Sequence, residues 1–131
     1  MKSRNILDSF NYAFEGIIHA FKTQRNMKLH FMAMIAVLLA ALVFKLSKTD
    51  MLIIFLVIAM VLVAEMFNTA IETVVDLCTQ KPHPLAAIAK NVAAGAVLIA
   101  AIVAVVVGYL IFFPAIDPMI PRVITVLQNT P

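Results

Sequence analysis

Three apolar runs divide the chain: FMAMIAVLLAALVF (31–44), MLIIFLVIAMVLVAEMFNTAIETVV (51–75) and NVAAGAVLIAAIVAVVVGYLIFF (91–113). A hydrocarbon layer about 30 Å thick is crossed by about 20 helical residues at about 1.5 Å each. Each run therefore predicts a membrane-spanning helix, and the spans are expected over residues 31–46, 51–76 and 90–113. The first is slightly short and needs Lys28, His30 or Lys45 to reach the headgroups from its ends. The second is longer than a crossing requires, so its last turns should emerge into a headgroup layer or a cavity. The third is expected to stop at Pro114, which has no N–H to continue the ladder. Residues 114–131, with four prolines, read as an irregular tail.

Residues 6–23 have a different period. Ile6, Phe10, Ala13, Phe14, Ile17, Ile18 and Phe21 recur at helical spacing, and Asp8, Asn11, Glu15, His19 and Lys22 occupy the other faces. This predicts an amphipathic helix lying in the membrane interface. Packing on a soluble partner domain is the alternative, but 131 residues allow a single domain, 1–131. Between the first two spans Ser47, Thr49 and Asp50 make a turn, with Thr49 or Asp50 expected to cap the second helix. Pro82 and Pro84 mark the loop before the third. The fold class is all-α integral membrane: three transmembrane helices and an N-terminal surface helix.

Composition excludes a water-soluble globule. Apolar residues make up 63% and charged residues 13%, against about 45–50% and about 25% in soluble domains. Ten scattered basic residues form no stripe for nucleic acid. They do orient the chain: Lys2, Arg4, Lys22, Arg25, Lys28, Lys81 and Lys90 fall on one side, and Lys45, Lys48 and Arg122 on the other. The positive-inside rule puts the N-terminus and the 77–90 loop in the cytoplasm, in an inner or plasma membrane. The first 30 residues lack the apolar core of a signal peptide, so the N-terminus is expected to stay on the mature protein. One cysteine, Cys78, excludes an intramolecular disulfide framework and reads as a small apolar filler.

The cytoplasmic end of the second span carries the candidate chemistry. Glu65, Asn68, Thr69, Glu72 and Asp76 stand at i, i+3, i+4, i+7 and i+11. At about 100° per residue they share one face about 100° wide. Carboxylates placed together near a bilayer repel one another, so protons or a cation must sit among them. Mg²⁺ suits carboxylate and amide oxygens and is commonly shared with nucleotide phosphates. Neither a Walker-type nor a dinucleotide glycine motif occurs; the glycines are Gly16, Gly95 and Gly108. Phosphate charge must then be met by side chains, and Lys90, opening the third helix at the same membrane face, is the best placed. An inside-positive anchor is the plainer reading of that lysine. For the acidic face the alternatives are a polar seam joining subunits and an ion or proton pathway, which the other two spans lack acids to continue.

The stretch EMFNTAIETVVD (65–76) resembles the pattern E-x-x-N-[ST]-A-I-E-x-x-V-D of the small prokaryotic lipid kinases of the diacylglycerol kinase/undecaprenol kinase family. SFNYAFEGI and RNMKLHF before it, and HPLAAIAKNVAAGAVLIAAI after it, extend the resemblance from about residue 6 to 113. The RN…H and HPLA…AK forms are similar to the Gram-positive branch, in which undecaprenol is the usual acceptor. The resemblance implies an ATP- and Mg²⁺-dependent lipid kinase, a homotrimer with active sites shared between protomers. It implies Glu65 as general base with Asn68 and Lys90 as its catalytic companions, and Glu72, Asn68 and Gln24 as metal ligands. It further implies Glu72, Asp76, Lys90, Asn91, Tyr12 and Gly16 as the nucleotide site. Ala93, Ala94, Gly95 and Ala96 would allow close helix contact. Two positions depart from the family pattern: Asn91 stands where Asp is usual, and Gln24 where several members carry Glu. Each removes a negative charge. Undecaprenol is the expected acceptor, diacylglycerol the alternative, and a membrane oligomer of weakened or lost activity a third reading.

Overall fold

The computed structural model describes residues 5–117. They form four helices: α1 (Ile6–Thr23), α2 (Arg25–Val43), α3 (Lys48–Cys78) and α4 (Pro84–Ile116). Among the described residues there is no strand. The last three helices are each long and apolar enough to cross a membrane. Lys2, Arg4, Arg122 and most of the expected tail lie outside the described residues.

The side chain of Asn5 caps α1 by accepting the Asp8 N–H at 2.8 Å, and Asp8 and Lys22 sit at the ends that match the helix dipole. Only Ala20 of α1 is buried, so its apolar face, including Phe10 and Phe14, stays open. Helix α1 ends at Gln24, whose extended backbone (φ −95°, ψ 122°) makes a one-residue elbow into α2. Helix α2 thus begins six residues before the expected span at 31. The amide and basic residues of RNMKLH do not break its helical period, so the ladder starts at the elbow rather than at the first uninterrupted apolar run. It ends earlier than expected as well. Lys45 adopts φ 52°, and the N–H groups of Lys45 and Leu46 donate back to Leu42 and Ala41 (3.2 and 3.1 Å), the reversed turn that commonly closes helices.

Helix α3 is capped by Ser47 rather than by Thr49 or Asp50. The Ser47 hydroxyl accepts the Asp50 N–H (3.2 Å) and donates to the Asp50 carboxylate (2.6 Å), so Asp50 acts as the third-position partner of the cap. Its 31 residues extend about 46 Å, well beyond the hydrocarbon layer. The third span also starts earlier than residue 90. Pro84 takes the first helical position, where its fixed φ helps and its missing N–H costs nothing, and His83 Nδ1 caps the turn by accepting the Leu85 N–H (3.2 Å). Lys90 accordingly lies within the helix rather than at its opening. Nor does α4 stop at Pro114. A proline in the last turn removes one donor, and the Asp117 N–H still reaches Phe113 O at 3.1 Å.

Contacts between helices fix their relative direction. Gln24 meets Glu72 and Lys90 meets Asp76 at one end, while the Phe44 and Phe112 rings meet edge-on, 5.9 Å apart, at the other. Helices α2, α3 and α4 therefore run antiparallel in turn, and the most extensive contact is α3 on α4. Its buried stripe is Ile54, Val61, Glu65 and Asn68 on α3 and Ala93, Val97 and Ala100 on α4. The close approach comes from small residues at helical spacing, not from the contiguous run 93–96, of which Ala94 and Ala96 are exposed.

Candidate active site

The polar face of α3 divides into two neighbouring clefts. The deeper holds Glu65, Asn68 and Glu72 with Asn26, Leu29 and His30 of α2 and Ala94, Val97, Leu98 and Ala101 of α4, and encloses about 330 Å³. Glu65 is 1% exposed, and neither carboxylate oxygen has a hydrogen-bond partner. The Asn68 Oδ1 atom is likewise buried without a partner. Carboxylates in such surroundings ordinarily receive several hydrogen bonds, so these three acceptors point to a group that arrives from outside the chain. Glu72, half-buried, already has two donors: Asn68 Nδ2 at 3.1 Å and Gln24 Nε2 at 3.2 Å. The elbow after α1 is what brings Gln24, 48 positions away in sequence, to that carboxylate.

Thr69 shares the face but spends its hydroxyl within the helix. It donates to Glu65 O at 2.9 Å, as Thr73 does to Thr69 O at 2.8 Å. Neither hydroxyl is directed to a ligand by these bonds.

The second cleft opens where α3 ends and α4 begins. Asp76, Thr79, Gln80, Lys81, His83 and Lys90 are among its lining, around about 570 Å³. Here Lys90 Nζ meets Asp76 Oδ1 at 2.6 Å, both partly exposed. The three acids of the face thus do not form one cluster: Asp76 is paired with a lysine, and Glu65 and Glu72 remain in the deeper cleft. Among the described residues no group of three His, Cys, Asp or Glu side chains converges as a metal site.

Tyr12, Gly16 and Asn91 are exposed and line neither cleft. Asn26 and His30, conversely, were absent from the residues singled out in sequence as a site. Their spacing of four, which sets them on one face of α2, was the available signal.

The chain is similar in sequence to known proteins. The family described as prokaryotic diacylglycerol kinase matches residues 11–112. A diacylglycerol kinase of Synechocystis is 46% identical over 111 residues, 84% of this chain and 63% of the relative. An undecaprenol kinase of Bacillus subtilis is 45% identical over 106 residues, 81% and 86% of the two chains. A diacylglycerol kinase of Haemophilus influenzae is 32% identical over 112 residues, 83% and 93%. The chain therefore spans just under two thirds of the length of the first of these relatives, and most of the other two.

Proposed function

Since the chain belongs to the prokaryotic diacylglycerol kinase family, we propose that it transfers the γ-phosphate of ATP to the hydroxyl of a membrane lipid alcohol, undecaprenol in preference to diacylglycerol. The observation that carries the reading is Glu65, a buried carboxylate with two free oxygens, the acid of the cleft nearest the apolar middle of α3. Such a group takes the proton of an alcohol that enters from the bilayer, and its burial keeps water from competing as acceptor. The relatives' names divide between the two lipids at nearly equal identity, so the acceptor is settled by assay. Purified protein given γ-labelled ATP and each lipid separately should phosphorylate undecaprenol faster. A faster reaction with diacylglycerol reverses the assignment.

One face of α3 lays out the parts in order. Glu65 holds the acceptor hydroxyl, and Asp76, about 16 Å further along the helix, stands in the nucleotide cleft. Glu72 lies between them, where the transferred phosphoryl group must pass. Glu72, Asn68 and Gln24 fit a bound Mg²⁺: the Asn68 oxygen is already free, and the Gln24 amide that now donates to Glu72 presents oxygen instead when turned over. With one carboxylate among three protein ligands, phosphate oxygens and water would complete the shell, as Mg²⁺ prefers. When bound, the ion neutralises charge on the phosphates. Lys90 supplies a cation to the same phosphates on leaving Asp76.

Asn91 adjoins that lysine. Once phosphate draws Lys90 from Asp76, a carboxylate at 91 would give it a second charge-assisted hold. Asn91→Asp is expected to raise kcat by about one to two powers of ten, with little effect on stability. An equal or lower kcat at saturating ATP and lipid means that Asp76 alone provides the charge.

We place both clefts at the cytoplasmic face, because Lys22, Arg25, Lys28, Lys81 and Lys90 lie at that end and only Lys45 and Lys48 of the described residues at the other. In a Cys78→Ser background, Lys81→Cys should react with an impermeant maleimide only after cells are opened. Labelling of intact cells would invert the topology. The active unit is a homotrimer, in which the α1 residues Tyr12 and Gly16, remote from their own chain's clefts, complete a neighbour's site.

A further inference from the structure

Above the carboxylate cleft, α2, α3 and α4 enclose a second cavity of about 320 Å³, lined by apolar side chains such as Met34, Val37, Ile58, Leu62 and Val105, with one polar exception, His30. Two residues line both spaces: His30 from α2 and Ala101 from α4. They stand on opposite helices at the seam between a wholly hydrocarbon chamber and the chamber of Glu65.

We propose that His30 and Ala101 form the threshold through which the acceptor alcohol reaches Glu65, with its hydrocarbon chain in the apolar cavity. His30 orients the hydroxyl, and Ala101 leaves room for the first carbons of the chain. The inference rests on the lipid-kinase reading and adds to it the selection of the acceptor.

The chemistry of the seam favours His30 for this task. An alcohol donates its proton to Glu65 and needs a donor for its own oxygen. The amide nitrogens of Asn68 and Gln24 each already direct one N–H to Glu72. His30, half-buried and without a hydrogen-bond partner among the described residues, lies between the two spaces, and an imidazole N–H serves as that donor. The charged and titratable groups lining the deeper cleft are His30, Glu65 and Glu72; α4 contributes only apolar residues there. Apart from His30 the upper cavity offers no side chain to pair a buried carbonyl. A diacylglycerol carries two ester groups close to its hydroxyl, whereas a polyprenol carries its hydroxyl directly on hydrocarbon. Unpaired esters in such a chamber lose their hydrogen bonds to water without replacement. The threshold therefore selects an alcohol with no second polar group near the reacting oxygen.

The test is steady-state kinetics of the full chain in mixed micelles with undecaprenol, diacylglycerol and ATP varied in turn. His30→Leu is expected to lower kcat/KM for undecaprenol about tenfold or more while KM for ATP stays within about twofold, and His30→Gln, which keeps a donor, should recover most of the loss. Ala101→Leu should raise KM for undecaprenol with little change in kcat. An unchanged kcat/KM in His30→Leu, a loss that His30→Gln does not recover, or an Ala101→Leu with normal lipid KM overturns the threshold. A parent protein that phosphorylates neither lipid would instead remove the lipid-kinase reading itself.

Discussion

Glu65→Gln is expected to lower turnover by about two to four powers of ten, the range that a positioned general base contributes, while the protein stays folded and becomes slightly more heat-stable. Gln has nearly the shape of Glu, so the helix α3–α4 contact around position 65 is retained. It cannot accept the alcohol's proton. The stability change has the opposite sign to the activity change for a physical reason. In the native protein both carboxylate oxygens are buried without a hydrogen bond, and burying an unpaired charge costs more than burying an unpaired amide. A residue kept for structure would not be left in that state; one kept for chemistry is. Turnover at saturating ATP and lipid, together with thermal denaturation in detergent, measures both effects. A Gln variant with near-normal turnover puts the base elsewhere. One that unfolds many degrees earlier makes Glu65 a structural group.

Glu72→Gln should be nearly as damaging, by about two to three powers of ten, but through the phosphate side. Of the three side chains assigned to Mg²⁺, it is the sole carboxylate. Its loss leaves Asn68 and Gln24 with a neutral partner, to which at least one amide must now turn its oxygen. The proposed trimer should persist, since Glu72 is half-buried and its bonds are within one chain. Residual activity of Glu72→Gln should require more Mg²⁺ than that of the parent. Gln24→Glu should move the other way. Without the ion it sets two carboxylates against each other, because the present Gln24 donates to Glu72 at 3.2 Å. With the ion it adds a second charged ligand. Its denaturation temperature should therefore rise with Mg²⁺ more than the parent's does. Near-normal activity in Glu72→Gln, or no Mg²⁺-dependent stabilisation in Gln24→Glu, contradicts the metal assignment.

The face of α3 was legible in sequence because helical periodicity alone places residues 65, 68, 69, 72 and 76 together. What periodicity does not carry is depth. Glu65 is fully buried, while Asp76, on the same stripe three turns on, is exposed and paired with Lys90. That difference comes from α4, which covers one part of the stripe and diverges into a loop beside the other. The proximity of Gln24 to Glu72 was out of reach of spacing as well, since it depends on a single extended residue between two helices; only the family resemblance suggested it. Helix starts were misjudged where polar or proline residues belong to a first turn: RNMKLH and PLAAIAK look like loops by hydropathy and are helical by capping and by proline's fixed φ. In sequence His30 reads as a residue able to reach the headgroups and as the last residue of the RN…H form, not as part of a site. Its place between the two cavities needs the packing of three helices, which no single-helix pattern contains.

The central claim is that the buried carboxylate of α3 serves phosphoryl transfer to a lipid alcohol. It is tested most directly by following the label of γ-labelled ATP into lipid for the purified chain and its Glu65→Gln variant under the same conditions. The account predicts labelled lipid phosphate from the parent, formed one for one with ADP and dependent on added alcohol, and almost none from the variant. ATP bound by both proteins with no labelled lipid from either, or equal labelled lipid from both, would contradict it.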